Sequence, residues 1–372
     1  MSNLNKFKVI GIMTGTSMDG LDCSLIETNG ISYVKILKEK SYEYTNNYSK
    51  KIRKLIYNLP KNKTKQKKYS KVNEEFITNK TLQLIKLFIK EMNIQKKNID
   101  LIGLSGQTIV HNPDKKYTIQ LGSGKKIYKK LLIPTISNFR ENDINNGGQG
   151  APIGSYYHKF LLKKFNKKAA IINLGGISNV TYSNDKDLIS FDMGPANSLI
   201  DDLMYYFYKK KLDKDGKIAK TGKIIEFILK DFKKDFFFKK KYPKSLDRKY
   251  YQNYFEILKK YKPKDAIHTA SIMAVTSIQK GITLLKKDIN LIILTGGGRK
   301  NLFVVKKLKK ELVKIDVKIN IIDKYGYNGD LLEAQMFGYL AVRSLKKLPL
   351  SLPSTTGVKK PVSGGILNGK FI

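Results

Sequence analysis

A pattern that starts twice constrains this chain more than any single motif. KVIGIM, LDCSLIE and ISYVKILK, within residues 8 to 39, alternate and cluster like three short strands joined by tight turns. AAIINLGG, ISNVTYS and DLISFDMG begin the same meander again at residue 169. After the first meander, Ile52, Leu55 and Ile56, then Phe76, Leu82, Leu84, Ile85, Phe88 and Ile89, fall at helical spacing. They predict two helices over 47–92 with a lysine-rich connection at 60–70. IDLIGLS follows as a strand, then a loop GQTIVHNP, then strands in TIQLG and LLIPTIS. After the second meander, helices are expected at 195–208, 222–232 and 264–286. The strand LIILTGGG, a helix from 301, the strand VKINIID and a last helix over 329–345 complete the half.

Two halves of this kind suit an α/β fold in which a ribonuclease-H-like unit is duplicated around a central nucleotide cleft. A chain of 372 residues exceeds what one core usually serves, so two domains are expected. The boundaries read as 1–135 plus 350–372 for the first and 136–349 for the second. With 41% hydrophobic residues, 10 Pro and 28 Gly, the composition excludes fibrous and disordered classes. No run of about 18 apolar residues occurs, and the apolar stretch in MSNLNKFKVIGIM is too short for a secretory signal. A single cysteine, Cys23, sits in a strand-like run and can form no disulfide within the chain, which agrees with a reducing, cytoplasmic setting.

A formal net charge of +40 raises the question of nucleic acid. The excess is lysine scattered through helices and loops, with no zinc spacing, RNP signature or basic zipper, so solvated faces explain it. Only five arginines occur, and Arg140, Arg248 and Arg299 fall inside candidate site motifs. A planar guanidinium in so lysine-biased a chain suggests bidentate contact with an anion or a substrate.

Four constellations could carry chemistry. Gly15, Thr16, Ser17, Met18, Asp19, Gly20, Leu21 and Asp22 form a small-residue turn between two apolar strands. There, backbone amides and hydroxyls can approach phosphate oxygens and a carboxylate can serve Mg²⁺. An ordinary hairpin would choose Asp-Gly for its dihedrals as well. TGGGRKN, with Gly296, Gly297 and Gly298, links a strand to a helix and permits close approach to a nucleotide, as a plain tight turn also would. NLGGISNVT, with Gly175 and Gly176, and FDMGPANSLIDDL follow one another, and Asp192 ends an apolar strand beside a Gly-Pro turn. Its carboxylate could activate water or a hydroxyl; a helix cap is the plainer alternative. SNFRENDI with GGQGAP sets Arg140 among polar and glycine-rich segments suited to hydroxyls or a carboxylate. LGSGKK at 121–126 looks like part of a P-loop but has Ile119 and Lys126 where that motif needs Gly and Ser or Thr. His111, His158 and His268 show no metal spacing.

GIMTGTSMDGLD, SGQTIVHNP, FRENDINNGGQGAPIGSYYH, NLGGISNVT, FDMGPANSLIDD, TGGGRKN, EAQMFGYLA and LPSTTG run in order from residue 11 to 357. Together they resemble the anhydro-N-acetylmuramic acid kinase family, within the actin-like ATPase superfamily. The resemblance implies ATP and Mg²⁺ as cofactors and an amino sugar whose 1,6-anhydro ring is opened by water and phosphorylated at O6, in cell-wall recycling. It implies that the loop Gly15 to Asp22 holds the ATP phosphates and that Asp192 is the general base. Arg140 and Glu333 match positions near the sugar, and the glycines at 175, 176 and 296–298 match positions near the nucleotide. It suggests a homodimer, with neither membrane nor nucleic acid as partner. Ser105 stands where the family usually has His, Asn138 where Asp is common, and YPKSLDRKYY replaces a more usual PPKSTGRE stretch.

Overall fold

A computed structural model describes residues 5–15, 18–113, 115–165 and 168–371. Its strands are β1 (Phe7–Met13), β2 (Gly20–Thr28), β3 (Val34–Glu43), β4 (Leu101–Leu104), β5 (Gln107–Asn112), β6 (Tyr117–Leu121), β7 (Thr135–Ser137), β8 (Ala169–Leu174), β9 (Ile177–Ser183), β10 (Leu188–Pro195), β11 (Leu291–Thr295), β12 (Lys318–Ile321) and β13 (Ile366–Asn368). The chain forms two units. One is Met1–Phe160, Leu331–Pro353 and Gly357–Ile372; the other is Leu161–Asp330 and Ser354–Thr356.

The first unit holds a sheet in the order β13-β7-β4-β1-β2-β3, and the second a sheet in the order β10-β9-β8-β11-β12. In each, the three meander strands pair antiparallel, and two later strands extend the sheet parallel to the first meander strand. Numbered by chain order within each sheet, the second reads 3-2-1-4-5 and the first reads the same with β13 added antiparallel beyond its fifth strand, so the expected duplication of a ribonuclease-H-like unit is present in the strand order itself. β4, β10 and most of β8 and β11 are buried, as strands covered on both faces must be.

The helix Leu332–Leu345 illustrates how packing overrides chain order. The sequence reading put it in the second domain, yet it packs on β1, β2 and β4 of the first unit. Glycines make this possible. A Cβ at Gly11 would lie 1.9 Å from the Ala334 carbonyl oxygen, and one at Gly103 would lie 2.3 Å from that of Phe337. Only a glycine pair lets the helix backbone lie this close to the sheet. The boundary near residue 135 also moves, because the helix Ser155–Leu162 begins in the first unit, which runs to Phe160.

Local capping explains a second difference. The connection expected at 60–70 is helical from Lys63, because the Asn62 side chain accepts from Thr64 N–H at 2.9 Å and Lys65 N–H at 3.3 Å. The expected loop GQTIVHNP is largely β5, paired with β6. No helix of the described residues is long and apolar enough to cross a membrane.

Replacing Gly11 by Ala should destabilise the protein by about 1–3 kcal/mol, because the helix on β1 cannot retreat without losing its core contacts. Urea unfolding measures this, and a variant as stable as the parent would mean that the helix does not lie on β1.

Candidate active site

The second unit gathers polar residues at one end of its sheet. Strand register aligns Asp192 of β10 with Asn179 of β9, Asn179 with Asn173 of β8, and Asn173 with Thr295 of β11. At a strand spacing of about 4.8 Å this row is roughly 14 Å long. Glycine turns lie just beyond it: Gly175 and Gly176 after β8, and Gly296, Gly297 and Gly298 after β11. Asn173 and Asn179 were not singled out in the sequence, since an asparagine within a strand motif carries no signal until register is known.

Asp192 is not a helix cap. The helix Asn197–Tyr208 begins without a side-chain cap, and the N–H groups of Ala196, Asn197 and Ser198 donate to the carbonyls of Gly175 and Gly176 at 2.9 to 3.1 Å. The Asp192 carboxylate, 6% exposed, instead takes a hydrogen bond from Leu246 N–H to Oδ2 at 2.8 Å. Its own N–H donates to the Lys244 carbonyl at 3.0 Å. The sheet register slips between Asp192 and Gly194, where φ is +144°, so the strand is bent just past the carboxylate. Lys244 itself is buried, and burial pushes its pKa down to about 8 against the pull of Asp192. Lys244 is one of the positions at which YPKSLDRKYY agrees with the PPKSTGRE pattern, and that agreement is the one sequence signal that could have singled it out.

The two glycine turns differ in what they leave open. Around Gly175 and Gly176 the helix N–H groups are already used by the protein. At the second turn, a Cβ on Gly296 would meet the Asn173 amide oxygen at 2.3 Å and one on Gly298 would meet the Asn197 amide at 2.8 Å. Gly297, between them, has nothing within 4 Å of its Cβ position. The cradle thus has packed walls and an open middle, as close approach by a ligand requires. Arg299 departs from the anion-binding expectation. Its Nε and Nη2 bind Asp323 at 2.6 and 2.8 Å, and Nη1 binds Asp330 at 2.7 Å and the Gly296 carbonyl at 3.0 Å. The guanidinium braces the glycine turn from behind. Arg299 holds Asp323 below the ordinary carboxylate range; burial would raise Asp330, and hydrogen bonds from Arg299 and Lys300 lower it.

In the first unit, Thr16 and Ser17 lie outside the described residues. Around them, Met18 adopts a left-handed φ of 57° and donates its N–H to the Gly15 carbonyl at 3.2 Å. Gln107 Nε2 reaches the same carbonyl at 3.3 Å, and Ser105 Oγ accepts from Thr14 N–H at 3.2 Å. Thr14 Oγ1 and Gln107 Oε1 are buried without a partner among the described residues, the condition expected of groups kept for a ligand. Asp19 is exposed, and Asp22 accepts from Ser41 Oγ at 2.5 Å. Gly20 crowds the Tyr42 carbonyl, and Leu21 and Met18 are core residues, so only their backbones can serve a ligand.

Arg140 Nη1 donates to the Gly150 carbonyl at 2.7 Å, and Asp143 accepts from Gly150 N–H at 2.5 Å, so the GGQGAP loop is clamped by both. Burial, then the Arg140 charge, pushes His111 down to about 3. Glu333 lies in the first turn of the helix on β1, where a carboxylate suits the helix dipole. In LGSGKK, Ser123 caps the helix Gly124–Leu131, and a Cβ on Gly124 would meet the Asn368 amide and Ser137 Oγ at 2.6 Å, which leaves no phosphate cradle. Among the described residues, no three His, Cys, Asp or Glu side chains gather as a metal-binding group.

Two ribonuclease-H-like units, one with a glycine-rich hairpin loop and the other with a carboxylate and a glycine cradle at the sheet end, define a duplicated α/β fold. The chain belongs to the anhydro-N-acetylmuramic acid kinase family, whose model matches residues 7–369. It is 36% identical over 364 residues to the anhydro-N-acetylmuramic acid kinase of Rhodopseudomonas palustris, covering 96% of this chain and 98% of that one. It is 37% identical over 370 residues to the namesake from Pelagibacter ubique, covering 96% and 97%. A glucokinase from Streptomyces griseus, solved with glucose and AMPPNP, aligns over 90% of this chain and 99% of its own at 11% identity and a TM-score of 0.37.

Arg299→Met should lower stability by about 2 kcal/mol near neutral pH, less than a fully buried pair would lose because Asp323 and Asp330 keep part of their hydration. Both carboxylates have depressed pKa values in the fold, so their contribution is present above the unfolded value of 3.8 and is lost as pH falls below it. Thermal unfolding of parent and variant should therefore differ most above about pH 5 and the gap should shrink as pH falls below 3.8 through the depressed folded values; a gap that is constant with pH would assign Arg299 another role.

Proposed function

We propose that this protein is an ATP-dependent kinase that opens 1,6-anhydro-N-acetylmuramic acid with water and phosphorylates O6, giving N-acetylmuramate 6-phosphate and ADP. The observation that carries the reading is a buried carboxylate, Asp192, in a polar row beside glycine turns, in a chain whose residues 7–369 match this family. Asp192 takes a proton from water as its oxygen bonds to the anomeric carbon. The bond from that carbon to the bridging oxygen breaks, and the released O6 accepts the γ-phosphoryl group. A positioned base of this kind supplies about 10²–10⁴ in rate.

The loop Gly15 to Asp22 suits the phosphates of ATP, with Thr14 and Gln107 offering unpaired buried oxygens. The cradle of Gly296, Gly297 and Gly298 suits the nucleotide, and Arg140 and Glu333 suit the sugar. Asp19 and Asp22 fit Mg²⁺, which ordinarily takes one or two carboxylates alongside phosphate oxygens and waters. Bound there, the ion supplies charge neutralisation during phosphoryl transfer. Cytoplasmic residence and a homodimer follow from the same family reading.

Purified protein given the anhydro sugar, Mg²⁺ and ATP should form the 6-phosphate with release of a reducing end. A folded sample that forms none would refute the proposal, and equal turnover of the ring-opened sugar would demote the coupled step to plain hydroxyl phosphorylation. Asp192→Asn should lose at least about 10²-fold in kcat while ATP affinity stays within about threefold, by turnover and nucleotide-binding assays.

A further inference from the structure

Lys244 is an ammonium group in a place that suits an apolar chain. The residue is 1% exposed, with Nζ donating to the Phe237 carbonyl at 2.8 Å. Nζ also lies 4.1 Å from the Phe237 ring centroid and 5.9 Å from that of Phe191. One hydrogen bond and two rings repay only part of the hydration that a buried ammonium gives up. Its surroundings supply a reason for its presence. Phe191, whose ring faces Nζ, immediately precedes Asp192 on β10. The Lys244 carbonyl takes the Asp192 N–H, and two residues later the Leu246 N–H holds the Asp192 carboxylate. A single short strap thus meets Asp192 at its backbone, at its carboxylate and, through the lysine, by charge.

We propose that Lys244 is a positioning residue for Asp192: its buried ammonium anchors the 244–246 strap against Phe237 and supplies the counter-charge that keeps the carboxylate ionised. This rests on the reading of Asp192 as the base. The charged groups acting on Lys244 are Asp192 on β10, then Lys240 and Asp235 flanking the turn that carries Phe237. Burial lowers its pKa most, Asp192 opposes that, Lys240 adds to it and Asp235 opposes it, leaving it at about 8. The ammonium is therefore present below about pH 8 and lost above it. Because Lys244 binds its proton less tightly folded than unfolded, the charge costs stability below that pH, and an apolar substitute relieves the cost.

The test compares the parent, Lys244→Met, Asp192→Asn and the double variant for kcat and KM across about pH 3 to 10, a span that brackets the ordinary carboxylate range and the Lys244 value, with thermal unfolding of each. Lys244→Met should lose about 10–100-fold in kcat with both KM values within about threefold. Its melting temperature should fall by no more than a few degrees, because the relieved ammonium offsets part of the charge left unpaired on Asp192. The alkaline fall in rate near pH 8 should vanish, and the acid limb should move to higher pH as Asp192 loses its counter-charge. Since Lys244 acts through Asp192, the double variant should be no slower than Asp192→Asn alone. A parental rate and pH profile in Lys244→Met would overturn the proposal, as would multiplicative losses in the double variant, or a lowered melting temperature with both limbs unmoved. If Asp192→Asn itself turned over normally, the base assignment would fall and this role with it. If only the Lys244 criteria failed, the base would stand. Should Lys244→Met not fold, Lys244→Gln is judged by the same criteria.

Discussion

A carboxylate at the end of a buried sheet can be kept only if its surroundings meet both its hydrogen-bonding capacity and its charge. Around Asp192 the sheet register, the bend at Gly194 and the 244–246 strap combine to do so. The row from Asp192 through Asn179 and Asn173 to Thr295 is set by the same pairing. Slipping β10 by one residue would turn the carboxylate to the opposite face and bring Phe191 or Met193 in its place. Register is thus the constraint that the proposed chemistry rests on.

Glycine does different work at different points. Gly11 and Gly103 let a helix from near the end of the chain lie against the first sheet, which is a matter of packing. Gly296 and Gly298 are walled in by neighbours, while Gly297 alone faces open space. Arg299 shows how a residue inside a site motif can serve the site indirectly: its donors go to Asp323, Asp330 and the Gly296 carbonyl, and fix the turn's shape. Substituting lysine there would keep the charge but lose the fork that holds two carboxylates at once.

The duplication was legible because strand alternation and turn residues are local signals, and both meanders fall where alternation placed them. The glycine turns and Asp192 were legible as candidates for the same reason, whereas their plainer alternatives could not be dismissed locally. Asp192 beside Gly-Pro reads as readily as a helix cap, and that reading falls only with the contacts of the fold: the helix N–H groups go to Gly175 and Gly176, and the carboxylate takes its hydrogen bond from Leu246, 54 residues later. The lysine-rich stretch from Lys63 read as a connection because its helical start depends on one asparagine side chain closing on two amides.

The sequence by itself determined the family, the α/β duplication and a set of candidate site residues, because spacing and residue type are written directly in the chain. Tertiary structure alone decided which unit the helix Leu332–Leu345 joins, which asparagines line up with Asp192, what Arg299 binds and why Lys244 is buried. Each of these is fixed by contacts between residues distant in the chain, and such contacts leave no periodic trace for local reading to find.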